Sequence, residues 1–397
     1  MMVLKAGDYF DPEAYHQRVA HAHQAWDELL AGKRSHLVFM NLCAPFLCDL
    51  FGVEPFDYYT SLEVMADTQL KGIAWRLKNL DEDEIPLAIF LDQATVHEAI
   101  AFNLPIEYQK SSTPWGGHLI DEIEQVDTLQ MPDLTRHRNL HETRQKLELL
   151  RSLVDGLPVL TSVHLHAPFT MAAQLLNAQD LFLACFEQPE RVHKLLENCL
   201  RFFLHFERVK WQYGISPDPL DEFVCWREGQ RGLTRVWTSD DTATMMSPQL
   251  YEEFVLPYNQ ILYSDFEYVH LHMDGRWNHL IPHVQRLQPD YCEVGGETDW
   301  RAVVEALGPT TVLQGGILAE IARDGSPDDC AQAAATALDI AVGKAGVALT
   351  IANEVHPGTP LRNMQKIIET ARDYQHKALK NASWQGPEER KWHASRS

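Results

Sequence analysis

The chain has 397 residues, 45% hydrophobic and 23% charged, the make-up of a globular protein, which excludes disordered and collagen-like chains. Its 56 acidic residues against 34 Lys plus Arg give a formal net charge of -22, a field that repels nucleic-acid phosphates and anionic lipid heads and argues against partners of either kind. No apolar run reaches the roughly 18–20 residues that span a bilayer. Met1 to Glu13 has no basic stretch leading into an apolar one, so a cytoplasmic protein is expected. The seven cysteines are odd in number and scattered in mostly apolar contexts, as reduced buried thiols are, and no disulfide framework is expected.

In chain order, the pattern predicts a helix over Pro12 to Ala31, then an apolar β-rich run from His36 to Asn41. A helix over Leu62 to Leu77 is followed by the run Pro86 to Leu91, and a helix over Leu140 to Val154 by the run Pro158 to His164. Pro189 then opens a long amphipathic helix in which Val192, Leu195, Leu196, Cys199, Leu200 and Phe203 recur at three- and four-residue spacing, with Gly214 as its stop. A fourth run is read at Glu222 to Trp226, a helix over Pro248 to Tyr263, and further runs at Tyr268 to Met273, Tyr291 to Val294 and Thr311 to Gly315. Ser326 before Pro327 starts an alanine-rich helix that leads into the run Val347 to Ala352, and a helix over Pro360 to Lys377 follows. Between the last run and that helix, Gly358 supplies an unusual backbone angle and Thr359 a helix cap.

Near-continuous rather than alternating apolar runs are the mark of parallel strands covered on both faces, and eight of them suggest closure. The expected fold is α/β, a single (β/α)8 TIM-type barrel at 35–380 with an N-terminal helical extension at 1–34 and a flexible tail at 381–397. In such a barrel the chemistry lies at the carboxyl ends of the strands. The residues there are Asp92, His164 and His166, Trp226 with Arg227 and Glu228, His272 and Asp274, Glu293 and Glu297, and Asn353, Glu354 and His356. Asp92, His272 and Asp274 are the catalytic candidates, and His164, His166, Trp226 and Arg227 the substrate-binding ones. His272, Asp274, Glu297 and Glu354 offer the nitrogen and oxygen donors of an open site for a divalent metal, zinc first, without thiolates. Alternate residues on a strand project the same way, which would let His272 and Asp274 share a ligand.

Six segments in order resemble the uroporphyrinogen decarboxylase superfamily, which also holds methyltransferases that move methyl groups to and from corrinoid proteins. They are Ile89-Phe90-Leu91-Asp92 with His97-Glu98-Ala99; His166-Ala167-Pro168-Phe169-Thr170-Met171-Ala172; Ser239-Asp240-Asp241 with Ser247 to Tyr258; His272-Met273-Asp274-Gly275; Leu313-Gln314-Gly315-Gly316; and Asn353 to Pro360. The resemblance implies a single α/β barrel, gives Asp92 the place of the aspartate that holds pyrrole N–H groups, and gives Asp240 and Asp241, by themselves readable as turn or helix-cap residues, a substrate-binding role. The arginine-rich start that grips an eight-carboxylate substrate has no counterpart here. In the methyltransferase branch a His-x-Cys pair and a later cysteine hold zinc, where this chain has His272-x-Asp274 and Asn353. The resemblance therefore implies methyl transfer or O-demethylation of a small methylated substrate, with a corrinoid on a separate protein as acceptor. The alternatives are a decarboxylase acting on uroporphyrinogen or a related pyrrole without a cofactor, and a non-catalytic barrel that binds a corrinoid or tetrapyrrole. A homodimer is also implied.

Overall fold

The apolar runs fold as parallel strands. The computed structural model describes residues 3–30, 32–161, 163–215 and 235–380. In it the barrel strands are β1 (His36–Val38), β2 (Ile89–Phe90), β3 (Val159–Leu160), β4 (Arg235–Ser239), β5 (Tyr268–Met273), β6 (Tyr291–Val294), β7 (Val312–Ile317) and β8 (Val347–Ile351). Seven of them lie inside or across the runs read from the sequence. The fourth is a correction: the strand paired to β5 is Arg235–Ser239, whereas Glu222 to Trp226 lies outside the described residues.

Strands β1, β8, β7, β6, β5 and β4 form one parallel ladder in that order, and β2 pairs in parallel with β3. Side chains and loops bridge the two gaps. Asp83 Oδ2 accepts from the Val38 N–H at 2.9 Å and Glu82 Oε2 from the Met40 N–H at 2.7 Å, so the acidic turn before β2 stands in for a ladder partner of β1. On the other side the Ala167 N–H, past the end of β3, donates to the Ser239 carbonyl of β4 at 2.9 Å. The circle of eight parallel strands is the expected (β/α)8 fold.

The helix Pro12–Leu30 lies under the barrel. Its Ala22, Trp26, Leu29 and Leu30 are buried with Leu37, Tyr268, Tyr291, Val312 and Ala348, residues at or near the starts of five strands, and so close the amino-terminal end. The helix expected over Pro248 to Tyr263 is two, Pro248–Phe254 and Leu256–Ser264, because Pro257 has no N–H to continue the first. Gly358 takes a φ of 80°, as expected, but the Thr359 hydroxyl donates to the His356 carbonyl at 2.8 Å instead of capping the helix Leu361–Lys380. Among the described residues no helix is long and apolar enough to cross a membrane.

Candidate active site

Register assembles the site. On β5, His270 and His272 alternate onto one face, and His272 stands level with Glu293 of β6. The two oxygens of Glu293 are divided between them: Oε1 lies 2.7 Å from His270 Nε2 and Oε2 lies 2.8 Å from His272 Nδ1. Trp237 of β4, level with His270, adds an Nε1–H bond to Glu293 Oε1 at 3.4 Å. Burial would push the Glu293 carboxyl up, but the two histidines outweigh it and hold the group well below the usual carboxylate range. Burial likewise opposes a charge on His272, yet Glu293, Asp241 and Asp274 together raise it to about 9, so the ring is an imidazolium at neutral pH. With Nδ1 fixed on Glu293, Nε2 is the proton-bearing edge turned outward, 3.5 Å from Asp241 Oδ1.

Asp241 is itself fixed. Its Oδ1 accepts from the Asp274 N–H at 2.7 Å and its Oδ2 from the Ser239 hydroxyl at 2.5 Å. Asp274 accepts at Oδ1 from Asn353 Nδ2 at 2.6 Å, while the Asn353 carbonyl accepts from Asn41 Nδ2 at 2.6 Å. Loops after β5, β8 and β1 are thus pinned to one another. Asn353 adopts a φ of 65° to make the link.

A second histidine–carboxylate pair sits after β3. Both the backbone N–H and Nδ1 of His166 meet Glu98 Oε1, at 2.9 and 2.7 Å. Burial opposes both charges, but the contact lowers Glu98 and raises His166, with Asp241 adding to the rise. Rings continue the row: His97 and His164 lie with centroids 3.9 Å apart, His164 and Trp237 4.0 Å, and Trp237 and His272 5.7 Å. His97 is held neutral by burial and by the neighbouring His164 and His166. Asp240 is fully buried, accepting from Asn259 Nδ2 at 2.7 Å and the Thr170 hydroxyl at 3.3 Å, and burial with the adjacent Asp241 pushes it up to about 7.

Of the residues singled out in the sequence, His164, His166, Asp240, Asp241, His272 and Asp274 share this region. Asp92 does not join them: it accepts from the Tyr58 hydroxyl at 3.0 Å and the Ala94 N–H at 2.8 Å, and burial raises its carboxyl. The expected metal set does not assemble. His272 is engaged by carboxylates at both nitrogens, Asp274 by Asn353, Glu297 is exposed, and Glu354 stands beside the Cys43 thiol. Among the described residues no group of three or more His, Cys, Asp or Glu side chains is disposed to hold a metal ion. Trp226 and Arg227 lie outside the described residues. In the sequence His270 is not singled out, His97 and Glu98 figure only within a matched segment, and Glu293 stands at a strand end without an assigned role. The available signal was the His270-x-His272 alternation, which asks for an acidic partner on a neighbouring strand.

The sequence profile of uroporphyrinogen decarboxylase (URO-D) matches residues 47–214 and 230–374. The chain belongs to the uroporphyrinogen decarboxylase family. Among solved structures it is similar to a methyltransferase from Methanosarcina mazei, with 16% sequence identity and a TM-score of 0.62 over 87% of this chain and 97% of that one. It also aligns with a B12-independent methionine synthase from a Shewanella species, in complex with selenomethionine, at 11% identity and a TM-score of 0.38 over 61% of this chain and 68% of that one. At these identities the likeness of this URO-D family chain to the methyltransferase is one of fold. No curated protein sequence matches it.

Proposed function

We propose that this URO-D family barrel transfers a methyl group from a small methylated substrate, such as a methyl ether, to a corrinoid carried by a separate protein. The observation that carries the reading is the clamp of Glu293 on His270 and His272 at the carboxyl end of β5, 2.7 and 2.8 Å from its two oxygens. When a methyl group leaves an ether oxygen, that oxygen keeps the bonding electron pair and must gain a proton to become a neutral alcohol. A fixed imidazolium whose Nε2–H edge is turned outward, 3.5 Å from Asp241 Oδ1, meets this need, and a positioned acid of this kind contributes on the order of 10²–10⁴ in rate. Glu293 holds the ring and its charge, His270 braces Glu293, and Asp241 faces the edge from which the proton leaves. The corrinoid, when its carrier docks, supplies the nucleophile. In this reading proton delivery rests on His272.

Absorbance-monitored methylation of free reduced cobalamin by a panel of methoxylated aromatics tests the reading. Turnover that falls at least about 100-fold in His272→Gln, with the circular dichroism spectrum retained, is expected. Turnover unchanged by that substitution would overturn it.

A second reading has its own observation. Asp92, at the end of β2, is a half-buried carboxyl held by Tyr58 and Ala94, and such a group supports a reading in which it stabilises positive charge on a pyrrole during decarboxylation. Incubation with uroporphyrinogen and assay of released carbon dioxide separates the two, since methyl transfer releases none.

A further inference from the structure

Asp92 opens not toward the histidine row but onto a cavity of about 460 Å³ between the helices Leu62–Asn79 and Arg138–Leu153 and the hairpin that pairs Ile106–Glu107 with Trp115–Gly116. That size is in the range of small-molecule sites. Its walls are chiefly apolar, with Tyr59, Met65, Leu91, Ile100, Tyr108 and Leu149 among them.

The polar side chains in the lining divide into committed and uncommitted ones. Gln93 is tied at both ends, to the Thr161 and Thr143 hydroxyls, and the Asn139 amide donates to the carbonyls of Ala99 and Leu104. Thr60 donates to the Phe56 carbonyl, and Glu142 is paired with Arg138 at 2.8 Å. Lys146 has no carboxylate partner among the described residues: its Nζ rests 3.5 Å from the Tyr108 hydroxyl and 5.9 Å from the centre of that ring. Each Asp92 oxygen accepts one bond from the protein and keeps a further acceptor position. Glu63 is exposed and unpaired among the described residues.

An apolar cavity with one uncommitted cation, one uncommitted acceptor and additional acids in its lining selects a particular kind of ligand. We propose that it binds an amphipathic monocarboxylate: an apolar or aromatic body with its single carboxylate at Lys146 and a hydroxyl or N–H donor at Asp92. A second carboxylate would meet Glu63, Glu142 or Asp92 with no cation to answer it, so polycarboxylates, uroporphyrinogen among them, are rejected, and carbon dioxide release from uroporphyrinogen would count against this proposal. This inference concerns binding and does not rest on methyl transfer.

Isothermal titration of the full chain with para-hydroxyphenylpropanoate tests it, with para-propylphenol lacking the carboxylate and phenylpropanoate lacking the hydroxyl as comparisons. The first compound binds more tightly than either analogue. Lys146→Ala weakens both carboxylates about five-fold, the reach of an exposed ion pair, and leaves para-propylphenol unchanged. Leu149→Trp, at a position 45% exposed and therefore harmless to the core, fills the cavity and abolishes all three heats. No heat with para-hydroxyphenylpropanoate, or heats indifferent to Lys146→Ala or to Leu149→Trp, would overturn the proposal. Lost binding with methyl transfer retained sinks the pocket alone, and lost turnover with binding retained sinks only the reaction.

Discussion

His272 and Glu293 make a pair in which one residue's charge state is set by the other. Glu293→Gln keeps the shape but removes the largest of the charges that outweigh burial, so His272 should fall well below about 9. The expected result is a wild-type rate that declines as pH rises through about 9, and a Glu293→Gln rate that declines at least one pH unit earlier and is lower throughout, read from kcat/KM against pH. A pH profile identical in the two proteins would remove His272 from the role of acid. Asp240 offers a stability test with the sign worked out. Its carboxyl is raised from 3.8 to about 7, so between those values the folded chain keeps a proton that the unfolded chain has released. Stability from this group is therefore present below about 3.8 and lost as pH rises through about 7. Asp240→Asn, which can still accept from Asn259, should flatten that fall, measured as the shift in urea midpoint between acid and neutral pH. An undiminished fall would place the proton elsewhere.

At the scale of elements, what could be read from the sequence depended on whether a strand is buried from both sides. β5, β6, β7 and β8 are broken only by isolated polar residues and were legible with nearly their observed bounds. β4 was not, because Arg235, Thr238 and Ser239 interrupt its apolar character, and its hydrogen bonds go to β5 on one side and to a loop amide on the other. Asp92 was legible as a residue at a strand end, while the Glu293 clamp was not, since its partner His272 is 21 residues away in sequence and is brought level only by the ladder. The turn Asp274–Gly275 depends on a similar long-range fit. A Cβ on Gly295 would stand 2.6 Å from the Gly275 nitrogen and 2.7 Å from its oxygen, closer than backbone atoms tolerate. Gly295→Ala must therefore push that turn off Asp241 and Asn353. Activity should fall at least ten-fold with secondary structure retained by circular dichroism, and full activity would show the turn to be dispensable.

The whole molecule joins its site to its base through the same strands. Trp26 is 3% exposed under the barrel, with ring centroids 6.2 Å from Phe39 and 6.0 Å from Tyr291. Tyr291 begins β6, whose third residue is Glu293, and Tyr268 of the same cluster begins β5, which carries His270 and His272. A cavity opened at the base, against Tyr291, therefore lies two residues along β6 from Glu293. Trp26→Ala removes a large buried ring, and such truncations cost about 3–5 kcal/mol. If the helix Pro12–Leu30 folds as part of the barrel, urea unfolding followed by far-ultraviolet circular dichroism and by tryptophan fluorescence should give one coincident transition, at a lower midpoint and with an unchanged slope. Two separated transitions would instead show that the helix detaches first, and that strands β5 and β6 hold the histidine clamp without support from below.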